Sequence, residues 1–361
     1  MYGIPYDEQL RRKREAVASA FAGHGMRIRV EEVEGMPDPF NYRNKVIANV
    51  SMRSGRLTYG MYEENTHKVT YAPDCFLQNR VLNGILKTIK EEADRMHISA
   101  YGHGGVLKQV LLRTGVSTGQ VMVVFVTSDD MFHGRAELVK RITARHPEIR
   151  TVIQNTNPRQ TSVVLGERER VLYGPGYITD SILGIKFKIS ARSFYQVNPF
   201  QTGKLYERAI GLAEIKGTDT VLDTYCGIGT IGLCAASQAG RIVGVEINRD
   251  AVRDAVGNAR YNGIRNAVFY CEDAKDFMRD YDERIDVLVT DPPRSGCGPA
   301  FLAAVKRLKP GRIVYISCNP ETQAADIALL SDMYTCDRSW PFDMFPHTAH
   351  VESVCLLNAR R

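Results

Sequence analysis

The spacing of apolar positions predicts one helix at the start of the chain. Over residues 5–22, positions on one side recur every three or four residues, at Leu10, Arg14, Val17 and Phe21. Gly23 follows as a stop signal. We therefore predict an N-terminal helical segment over residues 1–26.

A mixed pattern follows over residues 27–190. Two helical stretches, at 76–96 and 134–146, are surrounded by strand-like runs. These runs lie at 45–52, 56–62, 106–113, 120–126, 151–155 and 183–189. Strands grouped around a pair of helices in this way are typical of an α+β domain with an antiparallel sheet.

From residue 191 the pattern changes to a regular alternation of apolar strand and amphipathic helix. Strands are predicted at 219–223, 241–246, 267–271, 285–290 and 311–316, with two later ones at 333–340 and 349–358. A helical segment after each of the earlier strands is typical of a doubly wound parallel sheet of the α/β class. We therefore place a further domain at residues 191–361.

The charge of the chain is unevenly distributed. Residues 1–190 contain 27 Lys and Arg against 20 Asp and Glu, whereas residues 191–361 contain 20 against 21. An anionic partner such as RNA would explain a basic excess confined to the first part, since Lys and Arg contact phosphates. A solvated basic surface without such a partner is the alternative.

Membrane and secreted classes are excluded by the composition. No apolar run approaches the roughly 18 residues that span a bilayer, and the N-terminus lacks the apolar core of a secretory signal. The eight cysteines form no CxxC pair, so neither a disulfide framework nor a zinc site is indicated. We expect a cytoplasmic monomer with reduced thiols and no bound metal.

A glycine-rich turn predicts a cofactor cleft in the last domain. The turn runs from Tyr225 through Gly227 and Gly229 into a helix, and glycine there lets the backbone approach a ligand closely. The next strand ends at Glu246, about 20 residues on, where a carboxylate would bind the hydroxyls of a ribose.

Both NAD and S-adenosylmethionine fit this arrangement. Gly227, Gly229 and Gly232 have the spacing of a pyrophosphate-binding turn, which supports an NAD-dependent oxidoreductase. Asp223, however, would repel a diphosphate and suits an ammonium group, so S-adenosylmethionine is favoured. Asp273, after the third strand, is interpreted either as an adenine contact or as a helix N-cap.

Two turns at the same predicted sheet edge contain candidate reacting groups. In Asp291-Pro292-Pro293-Arg294 the prolines fix an extended turn, which places the carboxylate of Asp291 and the guanidinium of Arg294 in defined positions at its two ends. Cys318 follows the next strand at a strand-to-helix turn. Thiol pKa falls near helix N-termini and cations, so we expect Arg294 and the turn amides to favour the thiolate.

Glu352 interrupts the last apolar strand. A buried carboxylate there would have a raised pKa, which is the property that a general base needs at neutral pH. An exposed edge-strand residue is the alternative.

Together these residues resemble the RNA (uracil-5-)-methyltransferase family over most of the chain. The resemblance is most specific at 193–199, 223–229, 291–296, 316–321 and 343–354. It implies a class I, Rossmann-like methyltransferase domain beside an α+β RNA-binding domain. It also implies that Cys318 is the nucleophile, Glu352 the base, and that Gln196, Tyr225, Glu246 and Asp291 bind S-adenosylmethionine.

The implied reaction follows from uracil chemistry. Cys318 would add to carbon 6, the resulting enolate would take the methyl group at carbon 5, and Glu352 would remove the carbon 5 proton. Arg294 would pair with a uracil oxygen or polarise the enolate. The base must leave its stack for this reaction. A non-catalytic RNA-binding or assembly factor is the alternative of another class, against which the intact set of reacting groups argues.

The resemblance also bears on the substrate. The ribosomal branch usually has an N-terminal oligonucleotide-binding barrel and a four-cysteine iron–sulfur site, but here only Cys75 matches, and the other three cysteines would precede residue 1. We predict no cluster in this chain. The tRNA branch lacks both features, whereas residues 196–199, 227–231 and 350–353 resemble the ribosomal branch. We therefore expect 23S rRNA as the substrate, with tRNA as the main alternative.

A short segment of the second domain is a candidate RNA contact. Tyr42-Arg43-Asn44-Lys45 matches a segment of the family, and an ordinary strand start explains it equally well.

Overall fold

A computed structural model describes residues 1–63, 66 and 68–360 of the chain. It divides into two compact units. The unit that we call the C-terminal unit comprises Met1–Pro39, Ile182–Phe187 and the residues from Ser193 onward. The central unit comprises Phe40–Ser181 and Lys188–Arg192.

The first boundary therefore differs from the predicted one at residue 26. Residues 27–39 belong to the C-terminal unit because β1, Arg29–Val30, pairs in parallel with Arg338 and Ser339, and Glu34 bridges to Phe342. A two-residue strand has too little periodicity to be recognised from the sequence.

The predicted N-terminal helix is confirmed as α1, Tyr6–Gly23. Asp7 and Glu8 in its first turn interact favourably with the helix dipole. Its buried face contains Val17, Ala20 and Phe21, which join the apolar core of the C-terminal unit. The same face also buries Gln9 and Lys13, which the apolar pattern did not predict.

The C-terminal unit is built on a twisted, mostly parallel sheet, as predicted. Its strand order is β1-β17-β18-β15-β14-β11-β12-β13, and β16 pairs with β18. Besides β1, these strands are β11 Thr220–Thr224, β12 Arg241–Glu246, β13 Ala267–Cys271, β14 Val287–Thr290, β15 Arg312–Ser317, β16 Tyr334–Thr335, β17 Arg338–Phe342 and β18 Glu352–Ala359. The helices that follow α1 in this unit are α4 Pro199–Ala213, α5 Thr230–Ala235, α6 Arg249–Tyr261, α7 Ala274–Asp280, α8 Pro299–Leu308 and α9 Pro320–Leu329.

Strand register brings the ends of several strands to one level. Thr224 of β11 pairs with Thr290 of β14, and Thr290 pairs with Tyr315 of β15. β18 runs antiparallel to β15 and starts where β15 ends, with Ser317 opposite Ser353. The residues that follow β11, β14 and β15 therefore meet the first residue of β18 at one sheet edge.

The central unit contains a second sheet with the order β4-β3-β2-β5-β6-β7-β8. Its strands are β2 Lys45–Arg53, β3 Arg56–Tyr62, β4 Val69–Tyr71, β5 Leu107–Thr114, β6 Val121–Thr127, β7 Ile149–Thr156 and β8 Arg168–Tyr173. Helices α2, Arg80–Arg95, and α3, Arg135–Arg145, pack on one face over a shared apolar core. Residues 42–44 lead directly into β2, as expected for a strand start.

The predicted antiparallel arrangement is wrong at one pair of strands. β6 and β7 are parallel, because α3 connects them as a crossover. β8 was not predicted because most of its side chains are exposed and no alternation marks it. The run at 183–189 corresponds to β10, Ile185–Ile189, which forms a separate two-stranded sheet with β9, Ile178–Ile182.

In the part of the chain that the structure describes, no helix has both the length and the apolar character that crossing a membrane requires.

Candidate active site

Cys318 lies in the turn between β15 and α9. Asn319 caps α9 by accepting a hydrogen bond from the Glu321 backbone N–H at 3.2 Å, and the Asn319 N–H donates to Ser317 Oγ at 3.0 Å. These bonds fix the turn and leave Cys318 partly exposed.

The predicted lowering of the Cys318 pKa is wrong for the protein without ligands. Burial raises the pKa of this thiol, and the neighbouring carboxylates of Glu352 and Asp291 raise it further. A hydrogen bond and the charge of Arg294 act in the opposite direction without outweighing them. The sequence indicated both acids and the cation, but it did not show how deeply the thiol is buried, which is the largest cause of the raised pKa.

Glu352 is the first residue of β18 and is 3% exposed. The alternative of an exposed edge residue is therefore excluded, since β18 lies between β15 and β17. Since Ser353 pairs with Ser317, Glu352 precedes and Cys318 follows the last pair of the β15–β18 ladder. The charge of Glu352 acts on the Cys318 thiol, so the two side chains are neighbours. Its Oε2 atom is buried without a hydrogen-bond partner among the described residues. Burial, followed by the charge of Asp291, raises the pKa of Glu352, while Arg294 lowers it.

Asp291 and Arg294 lie on the loop that follows β14. Burial raises the pKa of Asp291. The Arg294 carbonyl accepts hydrogen bonds from Asn319 Nδ2 at 3.0 Å and from Thr322 Oγ1 at 3.3 Å, so this loop is tied to the start of α9. The exposed Arg294 guanidinium lies 3.3 Å from the ring of His350.

A buried acid holds the far end of the same loop. Asp326 Oδ2 accepts hydrogen bonds from the Cys297 N–H at 2.8 Å and from the Tyr315 hydroxyl at 2.7 Å. At Gly296, where φ is +80°, a Cβ atom would lie 2.7 Å from the same oxygen. The loop that presents Arg294 is thus fixed at both ends by α9.

The glycine-rich turn lies at the end of the neighbouring strand. Tyr225 and Gly227 have φ angles of 60° and 55°, and nothing lies within 4 Å of a Cβ built on Gly227. The backbone is therefore open to a ligand at this glycine. Asp223 is fully buried below the turn and accepts a hydrogen bond from the Gly232 N–H at 2.9 Å. Burial, with Asp291 and Glu246 nearby, raises the pKa of Asp223 to about 7.

Both oxygens of Glu246 are oriented by backbone donors. Oε2 accepts from the Gly227 N–H at 3.1 Å and Oε1 from the Asn248 N–H at 2.8 Å. Asp273 caps α7 by accepting from the Lys275 N–H at 3.0 Å, so the structure shows the N-cap interpretation. Its adenine contact stays a prediction, as does the cofactor role of Gln196, which is buried just before α4.

Sequence reasoning missed one residue at this cleft. Ile247 follows Glu246 directly and its side chain is 67% exposed. An exposed branched apolar side chain at the carboxyl edge of a parallel sheet offers a flat contact for a planar ring. An apolar residue directly after the acidic last residue of β12 is the sequence signal by which Ile247 could have been predicted.

The charges of the cleft fit a cationic ligand. Asp223, Asp291 and Glu352 all have raised pKa values, chiefly because burial penalises their ionised forms. A sulfonium with an ammonium group would favour the ionised forms, whereas a diphosphate would add repulsion. The residues present thus fit S-adenosylmethionine better than NAD.

Residues 5–360 match the family model described as tRNA (uracil-5-)-methyltransferase. The chain belongs to this family. It is therefore an S-adenosylmethionine-dependent RNA methyltransferase, and the resemblance found in the sequence is confirmed.

Related proteins align with almost the whole of this chain. An uncharacterised RNA methyltransferase of Halalkalibacterium halodurans is 42% identical over 99% of this chain and 80% of its own length. One of Clostridium tetani is 38% identical over 98% and 79%. The crystal structure of the Pyrococcus abyssi tRNA (uracil-54, C5)-methyltransferase with S-adenosyl-L-homocysteine matches with a TM-score of 0.82 and 28% identity, over 98% of this chain and 84% of that one. The predicted methyltransferase fold is thereby confirmed.

Cys75 does not lie at the sheet edge where Cys318 and Glu352 meet, because it belongs to the central unit. It is partly exposed between β4 and α2, and its carbonyl accepts hydrogen bonds from the Gln78 N–H and from Asn83 Nδ2. Over residues 1–63, 66 and 68–360, no three His, Cys, Asp or Glu side chains are grouped so that they could hold a metal ion.

Proposed function

We propose that this methyltransferase modifies carbon 5 of a uridine in 23S rRNA through a covalent bond between Cys318 and the uracil ring. The observation that supports this most is that a partly exposed thiol, Cys318, and a buried carboxylate, Glu352, each lie one residue beyond the last pair of the β15–β18 ladder. A nucleophile and a base that are neighbours suit addition to a ring followed by proton removal.

Cys318 begins the reaction by adding to carbon 6 of the uracil. Its side chain is partly exposed, so the thiol proton can pass to solvent, and the hydrogen bond from Arg294 stabilises the thiolate. The electrons of the carbon 5–carbon 6 double bond move toward the carbonyl at carbon 4 and form an enolate. S-adenosylmethionine, when bound, supplies the activated methyl group that carbon 5 accepts.

Glu352 completes the reaction as the base. Its carboxylate takes the proton from carbon 5, the electrons of that bond restore the double bond, and the carbon 6–sulfur bond breaks to release Cys318 as thiolate. Glu352 then passes the proton to solvent. Burial suits this role, because a raised pKa makes the carboxylate a stronger base than an exposed glutamate.

Arg294 assists the enolate. The tied loop after β14 presents the guanidinium near Cys318, where it can donate hydrogen bonds to a uracil oxygen as negative charge develops there.

We assign RNA binding to the central unit. By sequence it contains 21 Lys and Arg against 13 Asp and Glu, whereas the C-terminal unit is slightly acidic. Such a basic excess supplies the contacts to phosphates that dominate affinity for RNA.

The choice of 23S rRNA rests on the sequence at 196–199, 227–231 and 350–353, which resembles the ribosomal branch. A tRNA substrate is the second candidate, favoured by the similarity to the Pyrococcus abyssi enzyme.

Incubation with a labelled methyl donor and separate pools of unmodified 23S rRNA and tRNA transcripts tests the proposal. We expect 5-methyluridine in the ribosomal pool, found by nucleoside analysis, and its loss in Cys318→Ala. Product confined to the tRNA pool would overturn the substrate assignment. Full activity of Cys318→Ala would overturn the mechanism.

A further inference from the structure

We propose that Lys13 of α1 is a positioning residue that aligns the base Glu352 through a buried ion pair with Asp343. The inference rests on the proposed function, because it takes Glu352 as the base. We call residues 343–351, which connect β17 to β18, the base loop.

The ion pair lies at the start of the base loop and is fully enclosed. Lys13 Nζ lies 2.5 Å from Asp343 Oδ1, and both side chains are 0% exposed. Lys13 Nζ also donates to the Phe345 carbonyl at 3.1 Å. The second Asp343 oxygen accepts from the Tyr6 hydroxyl at 2.9 Å. Each atom of the pair that can bond therefore has a defined partner in the loop or in α1.

Side chains on one face of α1 form hydrogen bonds with the base loop. Tyr6, Gln9 and Lys13 are three and four residues apart, which places them on the same side of a helix. Gln9 Oε1 accepts from the His347 N–H at 3.0 Å. His347 has a φ of 66°, a conformation that a non-glycine residue keeps only when its surroundings hold it.

The contacts of α1 with Asp343 also constrain Glu352. Phe342, the last residue of β17, pairs in register with Glu352, the first residue of β18. Asp343 is therefore one residue from the Phe342–Glu352 pair, which fixes the position of the Glu352 carboxylate along the sheet. A shift of Asp343 displaces Glu352 relative to Cys318, and a misplacement of about 1 Å reduces rates by up to about a hundredfold.

Stability alone gives a poor reason for such a pair. Two charges removed from water are often no more stabilising than apolar residues of the same volume, whereas they do fix a geometry. The Lys13–Asp343 pair lies where geometry matters for the base and joins residues that are far apart in sequence.

The test compares two rates in one enzyme. RNA with 5-fluorouridine at the target measures addition and methylation, since fluorine cannot be removed by the base and the enzyme is trapped. Ordinary RNA measures the breakdown of the adduct, which needs Glu352. The variant is the double substitution Lys13→Met with Asp343→Asn, which leaves no buried charge unpaired, and its melting temperature and soluble yield are recorded.

We expect trapping by the fluorinated RNA within about twofold of the wild type, and adduct breakdown slowed about 10- to 100-fold, as for a displaced base. The adduct should then accumulate with ordinary RNA, as in Glu352→Gln. Arg12→Met, on the exposed face of α1, where Arg12 contacts Glu8, serves as the control and should keep both rates.

Three results decide the inference. Normal breakdown in a folded double variant overturns it, and so does an equal loss of trapping and breakdown, which would show a purely structural role. If the double variant does not fold, the same ratio of rates is measured in Tyr6→Phe, which keeps the ion pair and removes the hydrogen bond that Asp343 Oδ2 accepts from Tyr6. Failure of the wild type to be trapped would instead overturn the proposed function, on which the inference rests.

Discussion

At the scale of single residues, the site depends on carboxylates held away from water. Glu352 shows the effect most clearly, because burial and Asp291 raise its pKa while Arg294 only partly compensates. The group is thereby a stronger base, but less of it is ionised at a given pH. The rate of proton removal should reflect both effects.

The pH dependence of adduct breakdown tests this residue. Because the pKa of Glu352 is raised from 4.5, its carboxylate is lost at higher pH than that of an exposed glutamate. Breakdown should therefore speed up with rising pH through the neutral range and then level off. Rapid-quench measurements on a preformed adduct would record this profile.

Glu352→Gln provides the matched variant. Breakdown should slow by about a hundredfold to ten-thousandfold and lose this pH profile, because no base remains. An unchanged decay rate in Glu352→Gln would assign proton removal to another group.

Single residues also show what sequence reasoning can reach. Cys318 and Glu352 could be proposed as reacting groups because each interrupts a local pattern, a thiol at a polar turn and an acid in an apolar strand. Burial of Lys13 could not be predicted from the sequence, since its partner Asp343 is 330 positions away. The direction of the Cys318 pKa shift could not be predicted either, because it depends on burial first and then on the charges of Glu352 and Asp291.

At the scale of elements, α9 organises the site. Its first turn fixes Cys318 through Asn319, and its Asp326 binds the loop that presents Arg294. Cys318, the proposed nucleophile, and the loop that presents Arg294 are thus both attached to one helix.

Asp326→Ala tests the role of α9. The Cys297 N–H and the Tyr315 hydroxyl would lose their buried acceptor, which costs about 1–3 kcal/mol for each group left unsatisfied. We expect a lower melting temperature and a turnover reduced by about tenfold or more, because the loop that presents Arg294 would then be held at one end only. Calorimetry and steady-state kinetics would measure the two effects.

Asp332→Ala, just after α9, is the control for this test. Asp332 pairs with Lys306 on the surface, and exposed pairs contribute little to stability. Its stability and turnover should match the wild type. Equal behaviour of the two variants would remove the role assigned to Asp326.

Elements with strong periodicity were predictable, and those without it were not. β12 and β13 have the predicted bounds because each coincides with a short, mainly apolar run of the sequence. β1 is too short for a pattern and β8 too exposed. The parallel pairing of β6 with β7 depends on the path of α3, which no single segment encodes.

At the scale of the whole molecule, charge and chemistry are divided between the units. The basic excess lies in the central unit and the reacting groups in the C-terminal unit. Affinity for RNA and the rate of the chemical step should therefore respond to different substitutions.

Arg53 and Arg56 allow this separation to be tested. They are exposed and lie directly opposite each other in the β2–β3 pair, an arrangement that repels unless an anion is near. The double substitution of both with Gln should weaken RNA binding and lower the slope of log affinity against log salt, with the saturated turnover unchanged. Filter binding over a salt series would measure this.

Lys306→Gln, in the C-terminal unit, is the comparison for the arginine pair. It removes one exposed charge that is already paired with Asp332, so binding should stay near the wild type. The assignment of RNA binding to the central unit would be contradicted by an equal loss in both variants.

The pairing of α1 with the base loop has a consequence for how the protein is made. On the ribosome α1 emerges before the aspartate that neutralises its lysine, because 330 positions separate Lys13 from Asp343. Until Asp343 has been added, the lysine has no partner of opposite charge at its native position. The proposed base is therefore expected to reach its place only after residues 343–352 have been synthesised and have docked on α1.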